Sequence, residues 1–203
     1  MPFLNQALTA LTLVGVALIV LIVLRPALTL ARGGKILAFL ALFISPLLIT
    51  WIGTSAHLEN SKSTAFCLSC HVMEPYGQSL KLDGGGHLPA VHYQNNLIRR
   101  EDACFTCHTT YTLFGDVRAK LNGMKHVYVY YLGTVPEKIE LYGKYRNREC
   151  MHCHSGARSY EESEFHQPIL ADIASDQTSC LECHELVHDV GKLKEAKIWK
   201  GKE

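Results

Sequence analysis

Four times along the chain a cysteine, two intervening residues and a second cysteine are followed at once by histidine: CLSCH at 67–71, CFTCH at 104–108, CMHCH at 150–154 and CLECH at 180–184. Cys67, Cys70, Cys104, Cys107, Cys150, Cys153, Cys180 and Cys183 are all the cysteines of the chain, and none is left over. Two thiols at this spacing can form thioethers to the edge of one porphyrin, and the adjacent imidazole then meets the iron from one face. The pentapeptide therefore reads as a c-type haem attachment. Cysteine pairs of this spacing also build zinc sites or disulfide frameworks. Neither alternative requires histidine directly after the second cysteine, where it stands in every copy. The expected cofactors are four covalently bound haem c groups.

Irons held on one side by His71, His108, His154 and His184 need a second axial ligand. Seven further histidines are candidates: His57, His87, His92, His126, His152, His166 and His188. His152 lies inside its own Cys-x-x-Cys pair, a position that suits surface exposure better than ligation. His57 and His87 read as non-ligands.

The elements that must position these groups divide by composition. All 19 acidic residues follow Leu58, and the first 58 residues carry only Arg25, Arg32 and Lys35 as charges. Residues 7–24 are uncharged and, at about 1.5 Å rise per residue, long enough to cross a hydrocarbon core of about 30 Å. Residues 36–56 form a second apolar run, with Pro46 inside it and Trp51 suited to the interfacial belt. The loop 25–35 between them holds the three cations, which the positive-inside rule places on the cytoplasmic side. Residues 1–56 thus read as a membrane anchor of two transmembrane helices, with both termini outside. A cleaved signal peptide is the alternative for the first run, but Met1 to Gln6 lack a basic n-region. This topology delivers residues 57–203 to the periplasm, where thioether attachment normally occurs in bacteria, and places the chain in the inner membrane.

A body of this size wrapped around four porphyrins buries much of its apolar surface against haem rather than against side chains. Gly84, Gly85 and Gly86, then Pro89, Pro136 and Pro168, interrupt it and leave no long strand pattern. The expected fold is mainly α with extensive loops: a multihaem cytochrome c domain organised around its haems, with short helices at the attachment sites. One longer helix is expected within 111–132, where Leu113, Phe114, Val117, Leu121, Met124, Tyr128, Tyr131 and Leu132 recur at three- and four-residue steps. It packs on haem and core, or lies on a membrane surface. The formal charge of +1 and the absence of a basic run exclude nucleic acid as the default partner.

Between the motifs stand further segments: FCLSCHVM at 66–73, HYQN at 92–95, LGTVPEKIE at 132–140, ECMHCH at 149–154, His166, and CHELVH ending at His188. In this order they resemble the NapC/NirT family of membrane-anchored tetrahaem quinol dehydrogenases, which includes the small subunit of cytochrome c nitrite reductase. The family typically has one amino-terminal span, whereas two are read here. The resemblance implies His92, His166 and His188 as distal iron ligands. For the first iron it implies Met73, the thioether two residues after the motif histidine, with His71 as the ordinary alternative. It also implies a quinol pocket bordered by the 111–132 segment, with Lys120 at the family's lysine position and His126 where the family has aspartate. His126 reads either as the base for quinol protons or as a distal ligand to the first iron.

The implied activity is that of a membrane quinol dehydrogenase. It oxidises quinol, menaquinol by resemblance, and passes electrons through four haems to a periplasmic multihaem reductase or other periplasmic acceptor. The chain is not itself the terminal reductase. The competing reading is a pure electron-transfer subunit fed by another membrane subunit, without a quinol site of its own.

Overall fold

The structure, a computed structural model, describes residues 2–84, 86–139, 141–191 and 193–201, with side chains from residue 5 onward. Gly85, Glu140 of the LGTVPEKIE segment and both chain ends lie outside the described residues. The chain divides into two compact units, residues 1–61 and 62–203. The described residues are mainly helical and contain no β-strand, only an isolated antiparallel bridge between Leu82 and Ile198.

In the first unit the uncharged run forms α1 (Pro2–Leu24). A 3₁₀ turn at Pro26–Leu30 reverses the chain. The second apolar run forms one helix, α2 (Arg32–Asn60). Both helices are long and apolar enough to cross a membrane, and both reach beyond the apolar runs at 7–24 and 36–56, because polar residues at their flanks continue the backbone ladder. Pro46 supplies no N–H and its ring crowds the preceding turn, so the helix widens into a π turn at Leu40–Ile44 immediately before it. The two helices meet at small residues. A Cβ on Gly15 would lie 3.1 Å from Ser45 Oγ, and Ala41 is fully buried. In the first turn of α2 a Cβ on Gly34 would fall 1.6 Å from the carbonyl oxygen of Leu28 in the preceding 3₁₀ turn, so only glycine fits there.

The second unit is a chain of short helices: α3 (Thr64–Cys67), α4 (Glu74–Ser79), α5 (Leu88–Gln94), α6 (Ala103–His108), α7 (Gly115–Leu132), α8 (Asn147–His154), α9 (Arg158–Glu161), α10 (Leu170–Ala174) and α11 (Cys180–Cys183). Each attachment motif lies on or at the end of one of four: α3, α6, α8 and α11. Local chemistry starts two of them. Ser63 Oγ accepts from the Phe66 N–H at 3.2 Å to cap α3, and Ser179 and Glu182 form a reciprocal capping box on α11.

The apolar side chains fully buried in this unit, among the described residues, are Leu80, Leu82, Ala90, Ala103, Tyr160 and Ile173. Six side chains, two of them alanine, make a small core for about 140 residues, as expected where a bound group supplies much of the buried apolar surface. The chain end closes over the segment between the first two motifs. Asp83 N–H donates to Lys197 O at 2.8 Å, Trp199 N–H donates to Lys81 O at 2.7 Å, and the Arg100 guanidinium lies over both the Tyr93 and Trp199 rings. The apolar stripe of α7 is not covered in this way: Val117, Leu121, Met124, Tyr128 and Leu132 are all exposed.

Candidate haem-binding site

The attachment motifs are fastened to one another by buried polar side chains. Thr64, at the start of α3, donates through Oγ1 to Arg100 O at 2.8 Å and accepts from the Ala103 N–H at 2.9 Å, tying the first motif to the second. Asn147, at the start of α8, ties the third to the fourth. Its Nδ2 donates to Ile173 O at 2.8 Å and Thr178 O at 2.6 Å, and its Oδ1 accepts from the Cys180 N–H at 2.9 Å. Both residues are buried, so every one of these groups would otherwise be an unpaired polar atom.

The cysteines follow the same pairing. The Cys67 and Cys104 thiols are in hydrogen-bond reach, as are those of Cys150 and Cys180. The bond from Cys104 together with the nearby Lys120 ammonium lowers Cys67 to about 7, with burial opposing. A third junction joins the two halves. Tyr145 donates to Cys107 O at 2.6 Å, and the Tyr111 ring stacks on His152 with centroids 3.7 Å apart. His152 is itself exposed, as its place inside the Cys-x-x-Cys pair suggests. Neighbouring motifs are thus linked in chain order: first to second, second to third, third to fourth.

The histidines form facing pairs. His108 and His188 have ring centroids 6.1 Å apart, His92 and His154 6.0 Å, and His166 and His184 6.2 Å. An ion bound at about 2 Å by a ring nitrogen on each side separates two imidazole centroids by about 6 Å. In all three pairs one ring belongs to an attachment motif and the other to a histidine outside the motifs. The outer ring is anchored each time through Nδ1: His92 to Leu88 O at 2.7 Å, His166 to Tyr160 O at 3.0 Å, His188 to Ser79 Oγ at 2.6 Å. A carbonyl only accepts, so Nδ1 of His92 and His166 carries the proton and Nε2 keeps a free lone pair, the tautomer a metal requires. Burial lowers the pKa of His108, His154 and His188, with a neighbouring imidazole adding to it in each case, and His188 falls to about 4. The neutral, ligating form is favoured. The residues present therefore fit an iron between each pair. Among the described residues no group of three or more His, Cys, Asp or Glu is gathered as for a bare metal ion.

The first motif differs. His71 is exposed and lies 3.6 Å from Glu74, while Met73, in the 3₁₀ turn His71–Met73, is half-buried. Among the described residues no second imidazole faces His71. Lys120 reaches this motif from α7, its ammonium 4.8 Å from the Phe105 ring centroid and 5.8 Å from that of Phe66. His126 packs against Tyr142 with centroids 4.4 Å apart and the rings tilted by 45°, and it is close enough to His108 to oppose its protonation. On one α-helix, residues six apart are separated by about 9 Å along the axis and about a third of a turn around it. Lys120 therefore stands between the first and second motifs, and His126 is turned to another side of α7, toward Tyr142 and His108.

Residues 29–193 match the N-terminal region of the NapC/NirT cytochrome c family. The chain belongs to that family. The match begins after α1, so the first helix lies outside it. Relatives include the cytochrome c-type protein NapC of Haemophilus influenzae, 23% identical over 155 residues, which cover 68% of this chain and 72% of that protein. NapC of Escherichia coli K12 is 23% identical over 167 residues, covering 73% of this chain and 79% of the relative. The cytochrome c-type protein TorC of the same organism is 27% identical over 149 residues, covering 63% of this chain but only 35% of TorC. No solved structure matches the chain. Membership of this cytochrome c family implies covalent haem c and a part in electron transport. With the two apolar helices it also implies a membrane anchor.

The sequence named every histidine of the three facing pairs but not the pairing, which depends on tertiary contacts. It missed Thr64, Asn147 and Ser79 altogether. Their only local signal is a small polar residue among apolar neighbours, which is too common to single them out.

Proposed function

We propose that the protein is a quinol dehydrogenase of the bacterial inner membrane that carries four haem c groups and passes electrons to a periplasmic redox partner. Menaquinol is the expected substrate, and a periplasmic multihaem reductase the expected acceptor. Both chain ends lie on the periplasmic side in this reading, as does the haem body. The observation that carries it is the set of three imidazole pairs about 6 Å apart, each with its outer ring anchored through Nδ1.

In this reading His108 pairs with His188 at the second motif, His154 with His92 at the third, and His184 with His166 at the fourth. The eight cysteines supply the thioethers. Met73 serves the first motif, where no second imidazole is at hand among the described residues. When bound, the haems supply one-electron carriers against which a two-electron donor is oxidised.

The side chains on α7 handle the protons. Lys120, between the first two motifs, stabilises negative charge on a quinol oxygen as its proton leaves. Burial lowers the pKa of His126 below the ordinary 6.5, so its imidazole is neutral at pH 7 and able to accept a proton. Its place beside His108 suits proton exit better than ligation of the first iron. Exposed apolar side chains along α7 suit the approach of an apolar donor.

Lys120→Ala and His126→Ala should each slow reduction by a quinol analogue at least tenfold and leave dithionite reduction normal. Wild-type rates in both variants would move the protein to the pure electron-transfer class, fed by another membrane subunit.

A further inference from the structure

We propose that Ser79 is a positioning residue that fixes the ring plane of His188 and so makes the second-motif site the one parallel-plane centre among the three bis-histidine sites. The inference rests on the axial pairs assigned above.

Ser79 is only 2% exposed. A hydroxyl has one proton to give, and the Ser79 hydroxyl lies 2.6 Å from Tyr76 O, an acceptor only. Its proton goes there, and its lone pairs face His188 Nδ1 at 2.6 Å. Nδ1 must then carry the proton, leaving Nε2 as the ligating atom. The other two outer histidines receive the same instruction from a backbone carbonyl within their own segment, four or six residues away. His188 receives it from a side chain 109 residues earlier in the chain. A second contact fixes the ring: Tyr76 packs edge-on against His188 with centroids 5.6 Å apart, and its hydroxyl is itself held by the backbone of Ile139.

The consequence is a ring angle. His108 and His188 are 13° from coplanar, whereas His92 and His154 cross at 77° and His166 and His184 at 54°. The planes of two axial imidazoles govern how their π orbitals split the iron d orbitals. Parallel planes separate the two π-type orbitals and give a low-spin ferric signal with three resolved features. Crossed planes leave those orbitals nearly degenerate and give a single feature at large g. A hydrogen bond at Nδ1–H also makes the imidazole a better donor, which favours ferric iron and lowers that centre's potential.

The test is electron paramagnetic resonance and redox titration of the oxidised holoprotein. The wild type should show one three-feature signal beside large-g signals. Ser79→Ala should abolish or broaden that signal alone and raise the potential of one centre, while Ser79→Thr, which keeps the hydroxyl, restores both. His188→Ala is the companion variant and should turn one centre high-spin. If His188→Ala leaves every centre low-spin, the axial assignment itself fails. If it yields a high-spin centre while Ser79→Ala changes neither signal nor potential, the assignment stands and the role of Ser79 is overturned. A wild type lacking any three-feature signal also overturns it.

Discussion

Replacing Asn147 with alanine removes three hydrogen bonds at one stroke: those to the carbonyls of Ile173 and Thr178 and that from the Cys180 N–H. The backbone bond from Asn147 N–H to Asp176 Oδ1 survives, because it needs no side chain. Each lost bond contributes about 1 kcal/mol net, and an amide left buried without an acceptor costs about 1 kcal/mol more, so the substitution should destabilise the holoprotein by about 4 kcal/mol. Asn147→Asp should be no better at neutral pH. It keeps the acceptor for Cys180 but turns a carboxylate toward two carbonyl oxygens. The assay is guanidinium unfolding in detergent, followed by the haem absorption band that reports low-spin ligation. The third and fourth centres should lose their outer ligands at lower denaturant than the second, since Asn147 joins those two motifs. Ser175→Ala, at an exposed hydroxyl bonded to Ala171 O and Asp172 O, is the control and should stay within about 0.5 kcal/mol of wild type. An Asn147→Ala protein equally close to wild type would refute the claim that this side chain fastens the two motifs.

Thr64→Val, nearly isosteric, should cost about 2 to 3 kcal/mol through the loss of the bonds to Arg100 and Ala103, with Thr64→Ser largely restoring stability in the same assay. Chain made without haem attachment should retain its apolar helices but leave residues 62–203 open to limited proteolysis, because their own buried core is so small; a protease-resistant apo body would contradict that. Quinol oxidation should fall as the pH drops below the ordinary histidine value of 6.5 and His126 becomes protonated, and His126→Gln should slow turnover and flatten this acid limb without changing the spin state of any haem. A new high-spin signal in that variant would assign His126 to an iron instead. Intact mass should show four added haems.

Period and composition carried much of the fold. The charge-free run at 7–24, the three-to-four step pattern of 111–132 and the absence of strand alternation each reflect a local rule, and each reappears as helix or, among the described residues, as the lack of sheet. Helix ends were less legible: α2 runs from Arg32 to Asn60, because backbone hydrogen bonding does not stop where apolar residues do. The π turn before Pro46 follows from a ring clash that sequence reveals only as a tolerated proline. At the site, the motif cysteines and histidines are contiguous and could be read directly. His92, His166 and His188 required the family pattern, and their partners required three-dimensional structure: His188 crosses from beyond the fourth motif to face His108 of the second. Lys120 and His126 look equivalent on a list of polar positions. Helix geometry separates them, sending one toward Cys67 and the other toward Tyr142 and His108.

The proposed function has this chain take electrons from quinol itself. The most direct measurement is to add a reduced menaquinol analogue to the purified holoprotein in detergent, free of other subunits, and to follow the haem α-band. Reduction of haems without any added subunit, slowed at least tenfold by Lys120→Ala, is the predicted result. A protein that stays oxidised with quinol yet is fully reduced by dithionite would contradict the claim.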